Sequence, residues 1–139
     1  FIAMQHPNDV HFSKKVLRNM TQKGYILSER YTVDEILSVL ANTSMVIGMR
    51  LHSLIYAANL SIPMVGLAYE QKVGFFMQSI NQPYEDWNEN FNMGDLLEHL
   101  NRVWEDSDKI SQELKRIKPL LENKVIDSVK LTLSFLPEK

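Results

Sequence analysis

Ser44-Met45-Val46-Ile47-Gly48-Met49-Arg50-Leu51-His52-Ser53-Leu54-Ile55-Tyr56-Ala57-Ala58 reads as a strand that runs straight into a helix. Met45 to Ile47 is a short apolar run, the mark of a strand buried on both faces. Gly48 breaks the run and permits a sharp turn. Leu51, Leu54, Ile55 and Ala58 then fall at i, i+3, i+4 and i+7 and make one apolar stripe. Ala57 and Ala58 add helix propensity and allow close packing on a sheet. After Ile62-Pro63 comes a second apolar strand, Met64 to Leu67. The whole spans about 25 residues, near the size of a parallel crossover.

The crossover has a chemical consequence. Arg50 and His52 fall where the strand ends and the helix begins. Unpaired backbone N–H groups and the positive end of the helix dipole face outward there, and open parallel sheets bind ligands at this carboxyl edge. A guanidinium and an imidazole at a helix N-terminus make an anion site with a proton donor. Without an anion both would oppose the dipole, and Asp or Ser would suit the fold better. Spacing alone leaves a second reading open, with Arg50 paired to a surface carboxylate and His52 solvated or in the core. On a regular helix the two side chains would point to nearly opposite faces. They can reach one ligand only if Arg50 precedes the helix.

Gly48-Met49-Arg50-Leu51-His52-Ser53-Leu54-Ile55 with Ala57-Ala58, Pro63 and Tyr69-Glu70-Gln71-Lys72-Val73 resembles the C-terminal signature of the polysaccharide pyruvyl transferase family. The type most resembled is the bacterial cell-wall polymer enzyme of S-layer anchoring. The resemblance implies an α/β, Rossmann-like three-layer domain with a mostly parallel sheet, equivalent to the C-terminal half of a GT-B-like two-domain enzyme. It implies transfer of the enolpyruvyl group of phosphoenolpyruvate to a sugar or lipid-linked saccharide acceptor, forming a pyruvate ketal. No cofactor beyond the donor substrate is expected. His52 is the expected catalytic residue, and Arg50, Leu51, Ser53, Tyr69, Glu70 and Lys72 the expected substrate contacts. Gln5 and His6, in a loop after the first expected strand, are further candidates. The resemblance also implies a cytoplasmic enzyme, with the inner face of the membrane as one place of action. Two other classes stay open: a GT-B-type glycosyltransferase domain binding a nucleotide sugar, and a sugar- or anion-binding module without chemistry.

Composition agrees with one soluble-type globular domain over 1–139, of which 107–139 is a C-terminal helical segment. A chain of 139 residues, 45% of them hydrophobic, is long enough to bury a core. A net charge of -2 makes no electrostatic case for nucleic acid. With no cysteine there is no disulfide and no thiolate metal site. His6, His11, His52 and His99 have no metal-ligand spacing. No apolar run reaches the roughly 18 residues of a membrane span.

Phe1 to Met4 reads as a core strand rather than a leader, so the chain is expected to be the C-terminal half of a longer protein. A helix is expected over Val10 to Lys23, capped by Asn8 or Asp9 and stopped at Gly24, then a strand over Tyr25 to Ser28. Thr32 and Glu35 form a capping box ahead of a helix reaching Ala41. Gln71 to Ser79 reads as a helix with Phe75, Phe76 and Ile80 packed. Tyr84 to Trp87 reads as an edge strand, and Met93 to Trp104 as a helix with Leu96, Leu97, Leu100 and Val103 inward. His99 lies off that stripe and reads as solvated. Pro119 should kink or end the last helix near Lys118. No internal repeat is visible.

Overall fold

The computed structural model describes residues 1–135. The chain forms two compact units, residues 1–43 and the chain from Ser44 on.

The first unit carries helices α1 (Asn8–Asn19) and α2 (Val33–Leu40). The two strands expected around them reduce to one parallel bridge, Ile2 with Leu27. α1 starts and stops earlier than its pattern suggests. Pro7 takes the N-cap position with no side-chain cap, and the Asp9 carboxylate instead accepts from the Gln5 amide at 2.8 Å. Gly24 does not stop the helix. It stands beyond the Met20 C-cap, and its bare α-carbon lies against Leu17. α2 forms as expected. The Thr32 hydroxyl accepts from the Glu35 amide, and the Glu35 carboxylate accepts from the Thr32 amide at 2.8 Å, so two donors at the helix start are satisfied reciprocally.

The second unit is α/β. Strands β1 (Val46–Gly48), β2 (Met64–Ala68) and β3 (Tyr84–Asp86) form a fully parallel sheet in the order β1-β2-β3. Val46 pairs with Met64 and Gly48 with Gly66; Gly66 pairs in turn with Tyr84 and Ala68 with Asp86. Helices α3 (Leu51–Asn59) and α4 (Gln71–Ser79) connect the strands. Alternation along the strands assigns the layers. Gly48 faces Leu54 of α3, and Gly66 faces Met77 of α4. On the other face, Val65 packs with Leu96 and Val103 of α5 (Met93–Glu105), with Met45, Leu67 and Phe91 around them. Helices thus cover both faces, the Rossmann-like three-layer arrangement.

β2, in the middle, is buried nearly throughout. β1 is not buried on both faces as its apolar run suggests: Ile47 is 53% exposed. The cause is reach, since α5 packs on β2 and β3 but not on β1. Helix α3 buries Leu54, Ala57 and Ala58, while Leu51 and Ile55 sit half-buried at the margin. In α4 the inward residues are Val73, Gly74 and Met77, whereas Phe75 is exposed. In α5 Leu97 is exposed. Among the described residues Leu54, Met64, Val65, Met77 and Leu114 are sealed off almost completely, each worth about 1.5–3 kcal/mol relative to exposure.

The last helix, α6 (Ser107–Ser134), runs unbroken through Pro119. Proline removes the bond to the Lys115 carbonyl, but Lys115 is exposed, so water can take that place. Leu114 anchors the first half, and Lys118 donates to the Asn59 carbonyl at 3.0 Å. Past Pro119 the helix exposes Leu120, Val125, Ile126 and Val129. Residues 136–139 of the expected helical segment lie outside the described residues. Among those described, no helix is long and apolar enough to cross a membrane.

Candidate active site

β1 and β2 lie side by side, β2 running two residues beyond the partner of Gly48, and each leads through a two-residue turn into a helix. Arg50 is the N-cap of α3 and Glu70 the N-cap of α4, both with extended backbone. Arg50 therefore precedes the helix, which is the condition for it to share a ligand with His52. Leu51 and His52 occupy the first two helical positions. Their amides precede the first intrahelical bond and remain oriented along the dipole. The Ser53 amide is already committed, to the Arg50 carbonyl at 3.0 Å. The Ser53 hydroxyl donates to the same carbonyl at 2.6 Å. Ser53 thus braces the turn that presents Arg50, and two amides rather than three face outward.

The two strand-to-helix turns repeat one pattern of backbone bonds, each from an extended N-cap residue. The Val73 amide bonds the Glu70 carbonyl at 3.0 Å, as the Ser53 amide bonds Arg50. Ser61 and Asn81 both close their helices with positive φ, 57° and 52°. Ile62 and Gln82 both bond back to the helix at 2.9 Å. Pro63 and Pro83 follow. The sequence hides this repeat because few residues are shared. Its consequence is that His52 and Lys72 hold the same position on neighbouring helices, as Arg50 and Glu70 do.

Side chains link the two turns. Arg50 Nη1 donates to the Tyr69 hydroxyl at 3.2 Å, and the guanidinium carbon lies 5.8 Å from the Tyr69 ring centroid. Lys72 Nζ lies 2.6 Å from Glu70 Oε2. The hydrogen bond from Lys72, then one from Tyr69, hold the Glu70 carboxyl below its usual value. The hydrogen bond to Glu70 pushes the Lys72 ammonium up in return. Both side chains are open to solvent, so this marks geometry more than stability. His52 is exposed, its ring 6.4 Å from that of Tyr56 one turn on.

Gln5 and His6 lie in the first unit, both exposed, ahead of α1. His99 is not simply solvated. Its Nε2 lies 2.9 Å from Glu85 Oε1 and its Nδ1 3.1 Å from Arg102 Nη2. A neutral ring with the proton on Nε2 satisfies both contacts, and it ties α5 to β3. Among the described residues no three His, Asp or Glu side chains gather as a metal-ligand set.

A fully parallel three-stranded sheet with helices on both faces and two helix N-termini at its carboxyl edge defines a Rossmann-like α/β domain. The model of the polysaccharide pyruvyl transferase family matches residues 2–71, half of the chain, and the chain belongs to that family. The match takes in Gln5, His6, Arg50 to Ser53, Tyr69 and Glu70, and stops one residue before Lys72. No curated protein and no solved structure matches the chain.

Proposed function

We propose that this chain is the donor-binding half of an enzyme that moves the enolpyruvyl group of phosphoenolpyruvate onto a saccharide as a pyruvate ketal. The observation that carries the reading is the paired turn: Arg50 and Glu70 at adjacent helix starts, with His52 and Lys72 two residues on. Phosphoenolpyruvate is a compact dianion-plus-carboxylate, and two helix N-termini with a guanidinium and an ammonium complement it. Arg50 grips one anionic group bidentately. The Leu51 and His52 amides receive the other. Lys72 exchanges Glu70 for the donor.

In this mechanism His52 delivers a proton to the C3 methylene of the enol, which makes C2 electrophilic. A sugar hydroxyl adds to C2 and loses its proton. Phosphate departs with the C–O electron pair, and a second hydroxyl of the sugar adds to C2 and closes the ketal, one of the two hydroxyl protons restoring His52 and the other leaving with phosphate. The cationic turn neutralises the departing phosphate. A protein half like the GT-B N-terminal domain, supplied by the longer chain, would close over this edge, and the exposed second half of α6 is a surface for it. The fragment by itself should bind donor and turn nothing over.

Pyruvyl transfer by the full-length enzyme tests the reading. His52→Ala and Arg50→Ala should each lower kcat/KM for phosphoenolpyruvate by about 100-fold or more; near-normal rates in both discard it. Thermal stabilisation by UDP-sugar without any effect of phosphoenolpyruvate would favour the glycosyltransferase alternative instead.

A further inference from the structure

On the α5 side the sheet is only partly covered. The contacts of α5 fix which way each of its stripes faces, since successive helical residues turn by about 100°. His99 reaches Glu85 on β3, and Leu96 and Val103 pack with Val65 of β2. The next stripe round the helix, Met93, Leu97, Leu100 and Trp104, therefore lies on the β1 side. Leu100 is half-buried, but Met93, Leu97 and Trp104 are each more than half exposed. Ile47 of β1 pairs with Val65, faces the same way and is exposed too. Strand and helix thus form the floor and one wall of an apolar groove.

The wall has the chemistry of a seat for another helix. Its residues are spaced four, three and four apart, the interval at which one helix meets another. Glu98 and Glu105 border the stripe on its solvent side, both exposed. From Val73 to Asn101 the sequence contains no Lys or Arg. A matching helix needs an apolar stripe bordered by cations, and α1 is one. Phe12 and Val16 are exposed one turn apart, and Met20 continues the line. His11, Lys14, Lys15 and Arg18 fall at i, i+3, i+4 and i+7 beside it. Lys15 Nζ lies 5.5 Å from the centroid of the Phe12 ring, so the two stripes share a border. Among the described residues Lys14, Lys15 and Arg18 have no carboxylate partner.

We infer that the groove is an interface between copies of this chain, with α1 of one copy seated on α5 of the next and Lys15 and Arg18 set against Glu98 and Glu105. The apolar stripes give the contact its area, and the opposite charges select the partner. Two different faces meet, so a two-fold pair makes the contact twice. No residue of the donor turns takes part, and the inference stands apart from the reading above.

Light scattering across a dilution series of the full-length protein tests it. The parent should associate. Glu98→Lys with Glu105→Lys should weaken association about tenfold or more, and so should Lys15→Glu with Arg18→Glu. An equimolar mixture of the two variants should recover the parent's affinity, because each reversed face then meets its reversed partner and each original face its original one. Should a charge variant not fold, Leu97→Ala replaces it, with a severalfold loss expected. A monomeric parent overturns the interface. Variants that associate like the parent do so too, as does a mixture of folded charge variants that is no tighter than either alone.

Discussion

The hydroxyl of Tyr69 accepts a hydrogen bond from Arg50 Nη1 at 3.2 Å and so joins the start of α3 to the start of α4. The two residues are brought together by one fact of register: Gly48 pairs with Gly66, so Arg50, two residues past the end of β1, comes level with Ala68, the residue before Tyr69. Arginine has many rotamers, and ordering it costs entropy when a ligand arrives. A neighbour that holds it in place lowers that cost.

Tyr69→Phe should therefore weaken donor binding without harming the fold. The ring that faces the guanidinium remains, and only the hydroxyl goes. A rise of roughly three- to tenfold in KM for phosphoenolpyruvate is expected, about 0.7–1.4 kcal/mol. An exposed hydroxyl change should move stability by no more than about 0.5 kcal/mol. Steady-state kinetics with a urea melt separate the two effects. Unchanged KM would mean that Arg50 needs no help from Tyr69.

Gly48 predicts the opposite pattern, loss of fold and function together. A β-carbon there would lie 2.6 Å from Leu54 Cδ2 and 2.9 Å from Ser53 Oγ. Leu54 is fully buried, so its side chain would have to repack within the core. Ser53 braces the Arg50 carbonyl. Gly48→Ala should cost about 1–3 kcal/mol and lower activity by displacing the start of α3. Chemical denaturation and a transfer assay check both. Full activity at reduced stability would show that the turn tolerates the shift.

Local features of this chain were legible in the sequence, and pairings were not. The stretch Leu51 to Ala58 announces a helix by period, and Thr32 with Glu35 announces a cap, because both signals lie within one or two turns of chain. The place of Arg50 just before α3 was legible only as a condition, since Arg50 and His52 cannot share a ligand from one regular helix; its N-cap position supplies the answer. The Arg50–Tyr69 contact, the His99–Glu85 contact and the exposure of Ile47 depend on which strand pairs with which and on how far α5 reaches. The twin turns are hidden in the sequence because Ser61 and Asn81 both take positive φ with different side chains.

Thr32→Ala isolates one of the legible features. The Thr32 hydroxyl is the acceptor for the Glu35 amide, and its own amide depends on the Glu35 carboxylate. Removing the hydroxyl should cost about 1 kcal/mol, within the 0.5–2 kcal/mol of N-cap losses. Thr32→Ser should recover most of it. Urea denaturation reads the difference, and equal stability of all three proteins would assign α2 to packing of Ile36 and Leu40 alone.

The Glu70–Lys72 contact makes stability depend on acid in a defined direction. The Lys72 and Tyr69 bonds hold the Glu70 carboxyl below its usual value. A carboxyl depressed in the folded state adds stability above its unfolded value, about pH 4.3, and loses it as pH falls through the lower folded value. The difference in Tm between the parent protein and Glu70→Gln should thus be present at pH 7 and shrink steadily as pH falls below about 4.3. Because both side chains are exposed, salt near 1 M should shrink it at pH 7 as well, where the screening length falls to about 3 Å. The same substitution leaves Lys72 without its carboxylate, so phosphoenolpyruvate should bind the Gln variant more tightly at low salt. A Tm difference that does not shrink on acidification would mean that Glu70 supports the start of α4 by its shape rather than its charge.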